Sequence, residues 1–268
     1  EMCIRDSLQA IYREAQRSGQ PIYCIVDDTI ASHTRPSSQA VHPIEAAYFH
    51  QSHLKGCQDY GHQVVSVMLS CNGITLNYAV ILYDKSRSKI QIVQEIAEEL
   101  PAAPVISYFL CDSWSTAKVM DRFIRKGFYT VGALKTNRIL YPCGIRQKAS
   151  AFALHLRKTD PDVSLVTVGS REFYVYRYEG ELNGIPNAAV ILSYPKDGFG
   201  NPKALRVFLS TNAELSTQEI LDTYTKRWPI ELFFRQSKSK LALDSYQIRS
   251  RQGIQRYWLI MSLVHYLC

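Results

Sequence analysis

The sequence predicts an α/β domain: a mixed sheet flanked by helices and interrupted by a β-rich insertion. Three observations carry this. Short apolar strand-like runs alternate with helical periods across residues 22–134. Residues 136–212 then read almost entirely as strands separated by Gly, Asn, Pro and Asp turns. Two helical periods, 216–241 and 254–266, follow. Of the 268 residues 46% are hydrophobic and 21% charged, enough apolar surface for a packed core and too much for a disordered chain.

The elements follow in order. Residues 8–18 have a helical pattern that Pro21 breaks. Residues 22–26 form a compact β-type run ending at Asp27-Asp28, and a polar stretch with Pro36 and Pro43 fills 32–62. Residues 63–70 and 74–82 are β-rich, and Asn72-Gly73 between them is a strong hairpin signal. Residues 88–100 carry Ile90, Ile92, Val93, Ile96, Ala97 and Leu100 at helical spacing, with Pro101 and Pro104 ending the helix. The apolar run 105–111 suits a buried strand that Asp112 closes. Residues 115–126 predict a helix stopped by Gly127, and 128–134 another strand. In the β block, 163–168, 172–178, 188–193 and 204–209 are strand-like. Pro229, inside the long helical period, predicts a kink or a helix that restarts there.

These changes of character divide the chain into a leader (1–7), a first core part (8–135), the insertion (136–213) and a second core part (214–268). The opening EMCIRDS reads as a non-native leader and both ends as cut, so a fragment is expected.

Charge and cysteine usage narrow the class. Thirty-one Lys plus Arg against 24 Asp plus Glu give a net charge of +7, which favours a polyanionic partner without diagnosing one. No run of about 18 apolar residues exists, so no membrane span is expected. The seven cysteines (Cys3, Cys24, Cys57, Cys71, Cys111, Cys143 and Cys268) are odd in number, irregularly spaced and free of C-x-x-C pairs. That argues against a disulfide framework or a cysteine zinc site and for a reducing cytosol. Cys24, Cys71 and Cys111 lie in or beside apolar runs, where cysteine acts as a small hydrophobe. His50, His53 and His62 form no metal motif, which leaves structural or surface roles. Nothing resembles a P-loop or a dinucleotide fingerprint.

The candidate chemistry rests on acids. Asp27 and Asp112 each follow an apolar strand, the sheet edge where α/β proteins bind ligands, although an Asp there also starts turns and caps helices. Tyr224, Arg227, Glu231, Arg235 and Lys238 fall at offsets 0, 3, 7, 11 and 14, one stripe of a helix. A carboxylate is thus flanked by three cations and a tyrosine. A solvated face with a Glu231–Arg235 pair is the plain alternative. The dense apolar neighbours Ile230, Leu232, Phe233 and Phe234 favour a helix packed on a core with the acid in a cleft. Trp228 borders this stripe, and packing in a core or interface is its plain reading. Trp114 and Trp258 read as packing residues. Lys240, Arg249, Arg251 and Arg256 form either a polyanion-facing surface or a solvated face.

The run 224–238 reads Y-x2-R-x3-E-x6-K and is similar to the signature of DDE transposases from bacterial insertion sequences. Val26-Asp27-Asp28-Thr29 resembles that family's first acidic motif, D-x-T, and Leu110-Cys111-Asp112-Ser113-Trp114 its second. The β-rich block between the second and third acids matches the family layout. The resemblance spans roughly 21–266 and implies a ribonuclease H-like fold interrupted by that insertion.

The activity it implies is metal-dependent cleavage and strand transfer at insertion-sequence ends, by cut-and-paste. Asp27, Asp112 and Glu231 would hold two Mg²⁺ ions about 4 Å apart, with Mn²⁺ as the alternative. The D-x-T pattern selects Asp27, and Asp28 competes; strand alternation lets only one of them face a cleft. Tyr224, Arg227 and Lys238 are expected on DNA phosphates, with Arg235 as a further basic residue and Trp228 as the stacking candidate. The implied partners are double-stranded DNA, as transposon ends and target, and a second copy of the chain. The implied location is the bacterial cytoplasm at the nucleoid. A ribonuclease H-like nuclease without strand transfer and a non-catalytic DNA-binding remnant are the alternatives.

Overall fold

The computed structural model describes residues 2–40, 43–52, 55–113, 117–182 and 184–267. In chain order the elements are α1 (Met2–Ser18), β1 (Tyr23–Ser32), β2 (Tyr48–Gln51), β3 (Gln58–Cys71), β4 (Ile74–Tyr83), α2 (Lys89–Glu99), β5 (Ser107–Cys111), α3 (Ala117–Arg125), β6 (Phe128–Leu134), β7 (Ile139–Leu140) and β8 (Gln147–Lys148). There follow α4 (Ala149–Ala153), β9 (Val163–Val168), β10 (Arg171–Leu182), β11 (Ile185–Pro195), β12 (Arg206–Ser210), α5 (Thr217–Thr225), α6 (Trp228–Lys240) and α7 (Arg251–Leu267). They divide into two units, Glu1–Glu99 with Trp228–Cys268, and Leu100–Arg227.

In the first unit β3 is the spine. It pairs antiparallel with β1, from Ser32↔Gly61 to Tyr23↔Ser70, and with β4, from Gln63↔Tyr83 to Cys71↔Ile74, while β2 pairs its start. Asn72 and Gly73 make the two-residue turn into β4 with φ of 47° and 80°, the mirror-image turn whose twist suits a hairpin. Alternation along β1 puts Asp27, Thr29 and Ala31 on one face and Cys24, Val26 and Asp28 on the other. On Asp27's face His62, opposite Ala31, meets Trp258 of α7 edge-on at 6.1 Å. α6 packs against β1, β3 and α7. On Asp28's face lies Lys89, the first residue of α2. Ile11, Ile25, Val26, Val64, Val65 and Val93 are fully buried in this unit.

The second unit begins with a β-α-β step. β5 and β6 pair in parallel across α3, and Phe109 stacks on Phe123 of that helix at 3.9 Å. The sheet then continues antiparallel in the order β6-β12-β11-β10-β9. The β-rich block therefore extends the same sheet. Its core joins Met120 of α3 to Leu134, Leu192, Tyr194, Val207 and Leu209. Phe208, next to two of these core residues in β12, points to the other face and meets Tyr224 of α5 at 4.8 Å. β7, β8 and α4 attach through buried Leu140, Ala149 and Ala153. Sheets flanked by helices, antiparallel in the first unit and mixed in the second, are consistent with the ribonuclease H-like class that the resemblance implies.

Several elements differ from the sequence reading. α1 reaches back to Met2 through the opening seven residues. β1 continues through Asp27 and Asp28 to Ser32, because β3 pairs it to Gly61 whatever the side chains. Asp27 thus lies inside the strand and not past its end. The polar stretch contains β2 and the start of β3, and the β block contains α4. The long helical period is two helices, α5 and α6. The amides of Lys226 and Arg227 bond to Thr223 and Tyr224 three residues back, which tightens the last turn. Pro229 has no amide for the Thr225 carbonyl, so α6 starts afresh at Trp228, as a restart at the proline predicts.

Cys24, Cys71 and Cys111 are buried free thiols, as the apolar runs around them predict, whereas Cys57 and Cys143 are exposed. Cys268, His53, Trp114 and Ser115 lie outside the described residues. Among the described residues no helix is long and apolar enough to cross a membrane.

Candidate functional site

The first unit holds two of the three acids. Asp27 is half-buried in β1, and its Oδ1 accepts the amide of Asp28 at 2.9 Å. Asp28, on the opposite face, is committed elsewhere: Lys89 Nζ lies 3.0 Å from its Oδ1, and Gln63 Nε2 donates to its Oδ2 at 2.5 Å. Glu231 sits half-buried in the first turn of α6, where the helix dipole favours an anion. Its neighbours Ile230, Phe233 and Phe234 are buried, as the sequence predicts. Phe233 meets His265 of α7 edge-on at 4.9 Å, and His265 shares a 2.9 Å hydrogen bond with Gln236, which fixes α6 on α7.

Glu231, Arg235 and Lys238 share one stripe of α6 by helical spacing. Arg235 is exposed and Lys238 half-buried. Burial holds the Lys238 ammonium below the ordinary lysine range; Asp244 and Asp59 oppose that shift and Lys55 adds to it. Trp228 is 56% exposed, so a core role is excluded for it. Trp258, by contrast, is fully buried, in keeping with a packing role.

The second unit holds the third acid. Asp112 follows β5 directly, at the carboxyl end of a parallel strand, and its Oδ1 accepts the Ser113 amide at 2.6 Å. Cys111 pairs with Gly132 of β6, and a Cβ on Gly132 would lie 2.8 Å from the Cys111 carbonyl oxygen and 2.9 Å from its Sγ. No side chain fits there, so the two strands close tightly just before Asp112. Tyr224 stands in the last turn of α5, with the Arg227 guanidinium 5.6 Å from its ring centre. Burial raises the Tyr224 phenol above its ordinary range. The Arg227 charge and hydrogen bond oppose this, and the Asp112 carboxylate reinforces it. Asp112, Tyr224 and Arg227 therefore share one electrostatic neighbourhood.

The single stripe read from the sequence is split. Tyr224 belongs to α5, Arg227 to the turn, and only Glu231, Arg235 and Lys238 to α6. Spacing alone could not show this, because the offsets stay periodic across the break. The Lys89–Asp28 pair is a long-range contact that no local pattern announces. One missed signal was present: Ser216-x-x-Glu219 is a capping box that starts α5. In the basic segment before and within α7, Arg251 is ion-paired with Asp84 at 2.5 Å and its amide bonds to Glu45, so part of that charge serves the fold. His62 takes the structural role expected of it, hydrogen-bonded to the Glu45 carbonyl at 2.9 Å and to the Tyr246 hydroxyl at 2.7 Å. His50 is likewise buried.

The family model for the transposase DDE domain matches residues 18–267. The chain belongs to the transposase DDE domain family. No curated protein matches it. Membership makes it a transposase domain, with DNA as the substrate class and phosphoryl transfer as the general reaction. Transposases of this kind generally use divalent metal ions. Among the described residues no three of His, Cys, Asp and Glu form a group that could hold a metal ion. The donor chemistry nevertheless fits, because Asp27, Asp112 and Glu231 offer only the hard carboxylate oxygens that Mg²⁺ and Mn²⁺ prefer.

Proposed function

We propose that this transposase domain cleaves and rejoins phosphodiesters at insertion-sequence ends by cut-and-paste, with Asp27, Asp112 and Glu231 as its catalytic carboxylates. The observation that supports this most is the neighbourhood of Asp112: an acid at the carboxyl end of a parallel strand, next to a tyrosine and an arginine that fit the signature Y-x2-R. In this reading the three carboxylates would hold Mg²⁺, with Mn²⁺ as the alternative. The chemistry supplied there by bound cations would be charge neutralisation at the attacked phosphate and activation of the attacking water or 3′-hydroxyl.

The chain's own residues bind and orient the DNA. The Arg227 guanidinium is permanently charged and suits bidentate contact with a phosphate. The Tyr224 phenol, pushed above its ordinary range, stays protonated at physiological pH and can donate to a phosphate oxygen. Arg235 and Lys238 extend the cationic side of α6. Lys238 is the more desolvated of the two, so its attraction to a phosphate is less screened. Trp228, exposed at the start of α6, is free of the core and able to stack on an unpaired base. Two copies would bridge the paired transposon ends, and action on chromosomal DNA would put the protein at the bacterial nucleoid.

The test separates chemistry from binding. Asp112→Asn and Glu231→Gln should abolish Mg²⁺-dependent nicking of an end-containing duplex while affinity measured in EDTA changes less than threefold. Nicking retained by either variant removes that residue from the catalytic set. Arg227→Ala should weaken binding and lower the slope of log K against log salt by about 0.9, the value for one lost phosphate contact. An unchanged slope rejects the phosphate role.

A further inference from the structure

No Asp or Glu occurs between Asp121 and Asp160. Within that stretch residues 135–158 carry Lys135, Arg138, Arg146, Lys148, Arg157 and Lys158. These six charges, set against a chain total of +7, leave a net of only +1 for everything else. The segment is a small lobe of the second unit. β7 and β8 pair through Ile139↔Lys148 and Leu140↔Gln147, and the amides of Ala149 and Ser150 bond to the carbonyls of Arg138 and Thr136, both at 2.8 Å. Leu140, Ala149 and Ala153 are buried in the unit's core, and Phe152 packs edge-on against Tyr176 at 4.9 Å. The inner side of the lobe is thus anchored and its backbone held.

Its outer side is cationic. Lys135, Arg146, Lys148, Arg157 and Lys158 are exposed and Arg138 half-buried. Among the described residues none of the six is ion-paired, whereas Arg125, Arg177 and Lys196 of the same unit are matched with Asp121, Glu179 and Glu172. Lys158 lies 4.9 Å from the Tyr174 ring centre, which positions the ammonium without neutralising it. Six like charges, none of them ion-paired among the described residues, repel one another. The Asp160 carboxylate, which accepts the Arg157 amide at 2.7 Å, offsets this only at one end of the lobe, and a polyanion relieves the rest.

We infer that this lobe is a docking surface for the phosphate backbone of duplex DNA, one that holds the duplex without reading its bases. The charges are spread along a hairpin, its turn and the residues after α4 instead of converging on a pocket, which suits a line of phosphates better than a single anion. The inference rests on DNA as the substrate class of the family and not on the catalytic assignment.

The test uses the full chain in EDTA with a random-sequence duplex, read by fluorescence anisotropy across a salt series. No cleavage is needed, so failure of the catalytic reading leaves this result intact. Arg146→Gln, Lys148→Gln and Arg157→Gln combined remove three exposed, unpaired charges and should leave the melting temperature unchanged. Affinity should fall at least tenfold, and the salt slope should drop by about 2 to 3, near 0.9 for each lost contact. A control combining Arg13→Gln, Arg17→Gln and Arg125→Gln removes the same net charge elsewhere and should lower affinity less than threefold. An unchanged slope in the lobe variant overturns the inference. So does an equal loss in the control, which would mean that net charge alone drives binding. Loss of binding to phosphatidylserine vesicles with duplex affinity intact would also overturn it, in favour of a membrane partner.

Discussion

Asp27 and Asp28 are neighbours with opposite fates, and the pleat of β1 is the reason. Asp28 faces α2 and is closed in by Lys89 and Gln63, an arrangement that serves the fold. Asp27 faces the side on which α6 and α7 pack. Asp28→Asn should therefore cost about 1–2 kcal/mol through the weakened charge-assisted bonds, yet leave nicking within a few-fold. Asp27→Asn should leave the melting temperature nearly unchanged and abolish nicking. Melting curves and nicking assays on the two variants decide between the acids, and the reverse pattern would make Asp28 the catalytic one. Gly132 gives a second residue-scale prediction. An added methyl would meet the Cys111 carbonyl, which is backbone and cannot rotate away. Gly132→Ala should then destabilise by about 1–3 kcal/mol and lower nicking at temperatures where the protein is still folded, because the displaced strand end carries Asp112. Full nicking by the folded variant would uncouple this strand closure from the acid. The sequence offers the candidate acids at this scale because the D-x-T spacing at Asp27 and the end of β5 at Asp112 are local signals. It is silent on Lys89 and on the tight strand contact, which depend on register between distant segments.

At the scale of elements, legibility followed the strength of the local code. The Asn72-Gly73 turn, β6 and β9 lie where the pattern predicts them, since a left-handed turn, or a short β-type run bounded by turn residues such as Gly127, Asp162 and Gly169, has few alternatives. β1 extends beyond the apolar run at 22–26 because ladder hydrogen bonds use the backbone and ignore the Asp27-Asp28-Thr29 interruption. The α5–α6 break lay at Pro229, a visible signal whose outcome, kink or restart, depended on packing. α5 carries Tyr224 at its far end, so its start matters to the site. The Ser216 hydroxyl accepts the Glu219 amide at 3.2 Å, and Glu219 accepts the Ser216 amide at 2.8 Å. Ser216→Ala should cost about 1 kcal/mol by removing half of this box, seen as a lower melting temperature with little change in DNA affinity. Ser216→Asp should restore most of it. A rescue failure would show that the hydroxyl is not acting as a cap.

For the molecule as a whole, the histidines set its response to acid. His62 is completely buried beneath Tyr246 and Trp258, and both of its ring nitrogens are engaged. The Glu45 carbonyl requires a proton on Nε2, and the Tyr246 hydroxyl is placed to donate to Nδ1, an arrangement that suits the neutral ring. Burial pulls His62 down to about 4, aided by the nearby His33 and His50, while the bond to the Glu45 carbonyl opposes it. His33 and His50 are lowered in the same direction, each mainly by burial. An unfolded histidine takes its proton near pH 6.5, but the folded His62 does not until about pH 4. Above about pH 6.5 both states are neutral and the stabilisation is fully present. As pH falls from there to about 4, the unfolded chain binds the extra proton and stability is lost, on the order of 2–3 kcal/mol for His62 alone. Melting temperatures of the wild type should thus fall steeply between pH 6.5 and 4.5. His62→Gln should be less stable at pH 7.5, because it disturbs both hydrogen bonds, yet lose distinctly less on acidification. Its curve should converge with that of the wild type near pH 4.5. Parallel curves across this range would show that His62 does not carry the acid sensitivity and would shift attention to His33 and His50.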